Sequence, residues 1–373
     1  MGNTEMDICI CWNSGKSHKL LMLGVYESSK LVLRETVLGR TGLKVKILGF
    51  GGIPIQKISE KEAIDVVRRC YELGINYYDT ARRYRASEER IGKALEDVRD
   101  EIILATKSNR RTGREMLEEL ETSLNNLRTD RIDVYQLHNV STTDAWERIK
   151  APGGALEALY RARDEGKIDH IGITSHDPAV LAEIIREDIF ETMMVPYNYL
   201  TPKPEEELLP LCREMNVGTI IMKPFGGGAF SNANTALKFV LSREFVNIVI
   251  PGMMTVGEVE ENVRVATGSH VISEEELELI EGDKVELGSK FCRACNYCQP
   301  CPQEIPITFV LRAESQTLKR MGWRPGMEER VAGAIEKAES CTECGECEAR
   351  CPYHLPIRRL CLRWRLLFLG CSR

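Results

Sequence analysis

Eight short apolar runs alternate with eight amphipathic stretches between residues 47 and 267, and this alternation constrains the fold more than any other feature. The runs fall at about 47–50, 76–79, 102–106, 132–137, 168–173, 191–195, 218–222 and 247–250. Helical spacing of apolar residues marks the stretches at about 59–73, 87–97, 113–127, 153–165, 178–187, 205–215, 234–242 and 256–267. Ser59 and Glu62 form a capping box before the first helix, and Gly74, Gly166 and Gly218 are placed as C-cap glycines. Short connections and strict alternation predict an α/β protein, a closed (β/α)8 barrel. The alternative, an open doubly wound sheet, would want a Gly-x-Gly-x-x-Gly turn after its first strand, and Gly49-Phe50-Gly51-Gly52 is not that pattern. A hairpin over Arg34–Val37 and Leu43–Val45, turning at Gly39-Arg40-Thr41-Gly42, precedes the barrel.

Three consecutive strands end in reactive groups. The first ends at Asp79, with Tyr84 five residues on; the second ends at Lys107 and the third at His138. In a parallel barrel these ends share one face, where such folds place their chemistry. Tyrosine is a weak acid, with an ordinary pKa of about 10. A neighbouring Lys107 ammonium is expected to lower that value, Asp79 to hold the lysine charged, and a neutral His138 to polarise a carbonyl oxygen. Such a set suits carbonyl reduction, with Tyr84 protonating the oxygen as hydride reaches carbon.

The chain has 373 residues, more than the barrel needs, and 14 cysteines. Eight of these form two runs. Cys341-x2-Cys344-x2-Cys347-x3-Cys351-Pro352 matches the bacterial ferredoxin run, and Cys292-x2-Cys295-x2-Cys298-x2-Cys301-Pro302 is one residue shorter in its last gap. The fourth cysteine of such a run ligates the neighbouring cluster. Two [4Fe–4S] clusters are therefore expected, one on Cys292, Cys295, Cys298 and Cys351, the other on Cys341, Cys344, Cys347 and Cys301. Zinc also binds paired Cys-x2-Cys, but two quartets each ending in Cys-Pro favour iron–sulfur. Helical stretches at about 306–321 and 327–338 lie between the runs, on either side of Gly322-Trp323-Arg324-Pro325, so the appendage is expected to be a mostly α-helical ferredoxin-like domain. Cys9, Cys11, Cys70, Cys212, Cys361 and Cys371 show no ligand pattern.

The resulting division is an N-terminal extension over 1–33, expected to be poorly ordered; the barrel over 34–272; a connecting acidic helix over 273–290; the cluster domain over 291–360; and a basic, apolar tail over 361–373. Asn13-Ser14-Gly15-Lys16-Ser17 resembles the end of a phosphate-binding loop but lacks the earlier glycine. Neither a basic-then-apolar leader nor a run of about 20 apolar residues is seen. Cytoplasmic placement without membrane attachment is the expectation. A net charge of −6 argues against nucleic acid as a partner.

Asp79-Thr80-Ala81…Tyr84, Ala105-Thr106-Lys107, Gln136-Leu137-His138-Asn139, Gly172-Ile173-Thr174-Ser175, Val195-Pro196-Tyr197-Asn198 and Ile250-Pro251-Gly252…Glu261-Asn262 together resemble an aldo/keto reductase over roughly 34–270. The resemblance implies nicotinamide-dependent carbonyl–alcohol interconversion on a small carbonyl substrate. It implies Tyr84 as proton donor, Lys107 and Asp79 tuning it, and His138 orienting the substrate. Ser175 would contact the nicotinamide carboxamide, and Glu261 and Asn262 the adenine. Three places depart from the family. His176 and Met194 stand where amide side chains are usual, Met222 where an aromatic ring covers the nicotinamide, and Gly252 and Glu258 where NADPH enzymes carry Lys and Arg. NADH and NADPH both stay open on these residues. The clusters could serve an external redox partner protein, a bound flavin or structure alone. The alternative function is an iron–sulfur electron-transfer or docking module on a barrel that no longer turns over nicotinamide.

Overall fold

The computed structural model describes residues 32–293, 297–312 and 327–362. Cys295, most of the 306–321 helix expectation, Gly322–Pro325, nearly all of the 361–373 tail and the readings on the first 31 residues lie outside these. Ten strands are described: β1 Glu35–Val37, β2 Lys44–Lys46, β3 Phe50–Gly51, β4 Tyr77–Asp79, β5 Ile103–Ser108, β6 Ile132–Leu137, β7 Ile168–Thr174, β8 Thr192–Pro196, β9 Gly218–Met222 and β10 Ile248–Ile250. Strands β3 to β10 pair in chain order, each parallel to the next. Parallel bridges Leu48–Val249 and Gly51–Gly252 join first strand to last, so the sheet rolls into an eight-stranded barrel.

Helices wrap it: α1 Glu60–Glu72, α2 Ser87–Leu95, α3 Gly113–Leu127, α4 Thr143–Lys150, α5 Ala155–Asp164, α6 Pro178–Ile185, α7 Leu208–Glu214, α8 Ala233–Leu241 and α9 Val256–Thr267. Each lays an apolar stripe on the strands, such as Ala63, Val66, Val67 and Cys70 of α1. The Ser59–Glu62 capping box forms as expected. Gly74 and Gly166 adopt positive φ, but Gly218 does not end a helix. Asn216 takes the left-handed position after α7, and Gly218 opens β9 against Leu38, where a Cβ would lie 2.8 Å from the leucine side chain. Helix α4 was not anticipated; Thr142 caps it and Trp146 and Ile149 anchor it.

The β1–β2 hairpin closes one end of the barrel. Leu38 and Val45 are fully buried among Tyr77, Ile103, Val134, Met194, Ile220 and Ile248. The opposite end, where the strands finish, is left for polar groups.

Helix α10, Glu274–Leu287, leaves the barrel through a second capping box, Ser273–Glu276. Its Asp283 accepts from Tyr199 Oη and from the Ser231 N–H at 3.1 Å. Beyond it lie α11 Ile307–Arg312, α12 Met327–Glu339 and α13 Glu346–Ala349. This cysteine-rich region docks over the strand-end face. Arg293 Nη2 donates to the Leu200 carbonyl at 2.8 Å, Lys223 Nζ to the Arg293 carbonyl at 2.7 Å, and Arg312 Nη2 to the Gly227 carbonyl at 2.8 Å. No described helix is long and apolar enough to cross a membrane.

Candidate active site and cysteine cavities

Asp79 closes β4, Lys107 lies in β5 and His138 follows β6, so parallel pairing brings all three to one rim. Lys107 Nζ donates to Asp79 Oδ1 at 2.5 Å and to the Thr80 carbonyl at 2.7 Å. Gln136 Nε2 donates to Asp79 Oδ2 at 3.0 Å. Asp79, Lys107 and Gln136 are all buried. Burial pushes the Asp79 pKa up and that of Lys107 down, and the charge of each partner opposes both shifts. Tyr84 covers the pair, with Nζ 5.2 Å from its ring centroid, and His138 packs edge-on at 6.0 Å.

The expected lowering of the Tyr84 pKa is reversed. Burial and the Asp79 charge push its phenol up. Lys107 spends its charge on Asp79 and presents to Tyr84 a neutral pair rather than a bare cation. A raised phenol pKa keeps the proton on oxygen until a stronger base, such as an alkoxide, forms beside it. His138 is held far below the usual imidazole range, first by burial and then by the charges of Lys107, Arg83 and Arg111. It is neutral at pH 7, and its Nδ1 is buried without a hydrogen-bond partner. Arg111 Nη2 donates to the carbonyls of His138 and Asn139, both at 2.9 Å, fixing the loop after β6.

A cleft of about 320 Å³ opens beside Asp79 and Tyr84, walled by Met194, Met222, Lys223 and Met254. A second, of about 600 Å³, carries on past Gly228, Gly252 and Arg312, which line both, to Glu258, Glu261 and Asn262. Glu258, Glu261, Asp283 and Glu286 give this far lobe an acidic lining against Lys290 and Arg312. The Glu258 carboxylate accepts from the Met254 N–H at 2.6 Å.

Ser175 is brought to the same rim but is fully buried and does not line either cleft. Its Oγ accepts from the Asp177 N–H at 3.0 Å and lies 3.3 Å from Ser141 Oγ. Above it sits Tyr297, from within the first cysteine run. Tyr297 Oη hydrogen-bonds Asn139 Oδ1 and Ser141 Oγ and accepts from the His176 N–H at 3.2 Å. Its ring stands edge-on to His176, 5.4 Å between centroids. Sequence reasoning gave Tyr297, Ser141, Asn139 and Arg111 no role. Tyr297 is separated from Ser141 by 156 residues, and no local pattern announces such a contact.

The thiols line two separate cavities. Cys301, Cys341, Cys344 and Cys347 line one, joined by Cys361; Cys292, Cys298 and Cys351 line the other. Cys301 of the first run thus lines a cavity with thiols of the second, and Cys351 of the second lines one with thiols of the first. Four sulfurs bonded to one zinc at about 2.3 Å would crowd together. Among the described residues no three metal-ligating side chains are grouped closely enough to hold a single ion.

Residues 47–236 match the aldo/keto reductase family, and residues 291–356 match the 4Fe-4S dicluster domain. An uncharacterised oxidoreductase of Bacillus subtilis is 27% identical over 302 residues, covering 67% of this chain and 96% of its own. L-galactose dehydrogenase of Arabidopsis thaliana is 26% identical over 289 residues, covering 64% and 89%. The holo structure of an aldo-keto reductase from Bacillus halodurans superposes with a TM-score of 0.60 at 27% identity, covering 67% of this chain and 96% of that one. The chain is an oxidoreductase of the aldo/keto reductase family that carries a C-terminal 4Fe-4S dicluster domain.

Proposed function

We propose that the barrel reduces the carbonyl of a small aldehyde or ketone to an alcohol, using a nicotinamide dinucleotide laid along the double cleft. The observation that carries this reading is the buried Asp79–Lys107 pair under Tyr84, with a neutral His138 beside it. Reduced nicotinamide, when bound, supplies hydride to the carbonyl carbon. Tyr84 donates its phenolic proton to the carbonyl oxygen as negative charge builds there, and solvent restores the proton afterwards. The Lys107 ammonium, paired with Asp79, lies 5.2 Å from the phenol ring centroid and is the end of that pair nearest the developing phenolate, and Asp79 with Gln136 holds it in place. His138, neutral, is free to donate a hydrogen bond to the substrate oxygen and orient it.

The cleft suits a dinucleotide along most of its length. Asn262 and Glu261 line the far lobe where the adenine would be held, and the acidic lining there disfavours a 2′-phosphate, which supports NADH over NADPH. Met222 would cover the ring by dispersion. The carboxamide end fits less well, because Tyr297 already takes up Asn139, Ser141 and the His176 N–H beside Ser175. Cys292, Cys295, Cys298 and Cys351 would hold one [4Fe–4S] cluster and Cys301, Cys341, Cys344 and Cys347 the other, each passing single electrons to or from a redox partner protein. We place the protein in the cytoplasm, where thiols stay reduced.

Turnover of small aldehydes by anaerobically reconstituted protein, with NADH and NADPH compared, tests the reading. Tyr84→Phe should lower kcat by about 10²–10⁴-fold; a variant of full activity sinks it. The seat of Tyr297 favours a second reading, a barrel that serves as an iron–sulfur docking module and binds no nicotinamide. Tight nucleotide binding in the same titration counts against that one.

A further inference from the structure

Asn139 Oδ1, the His176 N–H and Ser141 Oγ converge on one point at the barrel rim: an acceptor, a donor and a hydroxyl able to act as either. The Tyr297 phenol meets all three through one oxygen; a primary carboxamide would meet the same set through two atoms, its NH2 toward Asn139 Oδ1 and its carbonyl toward the His176 N–H. The set is built rather than incidental. Asn139 sits at φ 59°, in the left-handed region, and its N–H donates to Thr174 Oγ1 at 2.9 Å. Arg111 clamps the carbonyls on either side of it. His176 Nδ1 lies 3.2 Å from Asn139 Oδ1, and its Nε2 is buried with no hydrogen-bond partner.

The phenol of Tyr297 now satisfies this set. Tyr297 stands next to Cys298, whose thiol lines the cavity shared with Cys292 and Cys351. One end of the residue is therefore tethered to the cluster-binding loop, and the other fills the amide-recognition point. We propose that Tyr297 is a specificity-determining gate: its hydroxyl occupies a primary-carboxamide subsite formed by Asn139, Ser141 and His176, and a nicotinamide carboxamide enters only when the Tyr297 side chain leaves it. This rests on the reading that nicotinamide dinucleotides use the cleft.

Two ligands of one point compete. The apparent dissociation constant for the nucleotide is its intrinsic value divided by the fraction of molecules in which Tyr297 is away. By linkage, nucleotide binding must loosen the loop by the same factor. ADP-ribose, which lacks the carboxamide, makes no claim on the subsite and should be indifferent to the gate.

The test uses the full-length, cluster-loaded chain under anaerobic conditions, with iron content and visible absorbance checked for each variant. NADH and ADP-ribose are titrated into wild type, Tyr297→Phe and Tyr297→Ala. Tyr297→Ala should bind NADH roughly tenfold tighter than wild type, within the usual range of coupled sites. Tyr297→Phe, which keeps the ring and loses the hydroxyl, should fall between, and ADP-ribose should bind all three alike. Equal or weaker NADH binding by Tyr297→Ala overturns the gate and leaves the nicotinamide reading standing. No NADH binding by any form overturns both. If the alanine variant fails to load iron, wild type alone decides: hydrogen exchange in residues 297–300 should quicken on saturation with NADH and not with ADP-ribose. Unchanged or slowed exchange overturns the proposal.

Discussion

In the barrel, Asp79 and Lys107 stand on strands that are paired on both sides, and Tyr84 and His138 follow such strands closely. Asp79, Lys107 and Gln136 come from three adjacent strands, and the registers between them set their spacing before any side chain is considered. In the cysteine-rich region, by contrast, the described structure is a few short helices with loops between them. Among the described residues, four of the eleven buried members of its core are cysteines, Cys292, Cys298, Cys351 and Cys361, beside Ile305, Ile307, Val310, Ala334, Ala338, Leu355 and Ile357. Side chains that would otherwise ligate a group thus stand among the apolar ones, so this packing leans on the group they hold. The difference teaches that the two regions hold their functional groups by opposite routes. The barrel's fold places its chemistry, whereas in the appendage the ligand chemistry must complete the fold.

Removing the iron should give the largest effect. Chelation under reducing conditions should unfold the cysteine region and leave the barrel's cooperative transition in place, so that thermal unfolding followed by circular dichroism loses one component and keeps the other. Loss of both together would break the comparison. Next in size, Lys107→Met strands the Asp79 carboxylate in a buried site. Breaking such a pair costs about 3–5 kcal/mol, reduced here to the extent that Asp79 takes up a proton and keeps Gln136. Denaturant unfolding should show the barrel weakened, with the iron–sulfur absorbance of the folded protein unchanged.

The smallest effect concerns pH. His138 and His176 are both held well below the ordinary imidazole range, first by burial. The unfolded chain therefore binds protons below its own histidine pKa of about 6.5 that the folded barrel refuses. Stability from these two groups is complete above that pH and declines as pH falls through it, by up to about 1.4 kcal/mol per pH unit for each histidine. His138→Gln should halve that slope between pH 6.5 and 5 in urea melts. An unchanged slope would show that burial at the rim does not govern their titration.

The reactive set was legible because strand ends follow from hydrophobic period, and period is local. Asp79, Tyr84, Lys107 and His138 each sit at a place that an apolar run and its terminus announce. The sign of the Tyr84 shift was not legible. It depends on whether the Lys107 charge faces the phenol or is absorbed by Asp79, and only distances decide that. Gly218 was misread for a related reason: its proximity to a helix end looked like a cap, while its actual constraint is Leu38, 180 residues earlier in the chain. Helix α4 escaped because its eight residues were read as connection.

By itself the sequence determined the alternating architecture, the four polar groups at the strand ends and the two cysteine runs, since each is a matter of residue type at short, regular spacing. The tertiary structure alone decided what those groups face. Tyr297 reaches across the rim to Asn139, Ser141 and His176. Contacts between residues more than 100 positions apart depend on how whole surfaces dock, and docking leaves no period in the chain to read.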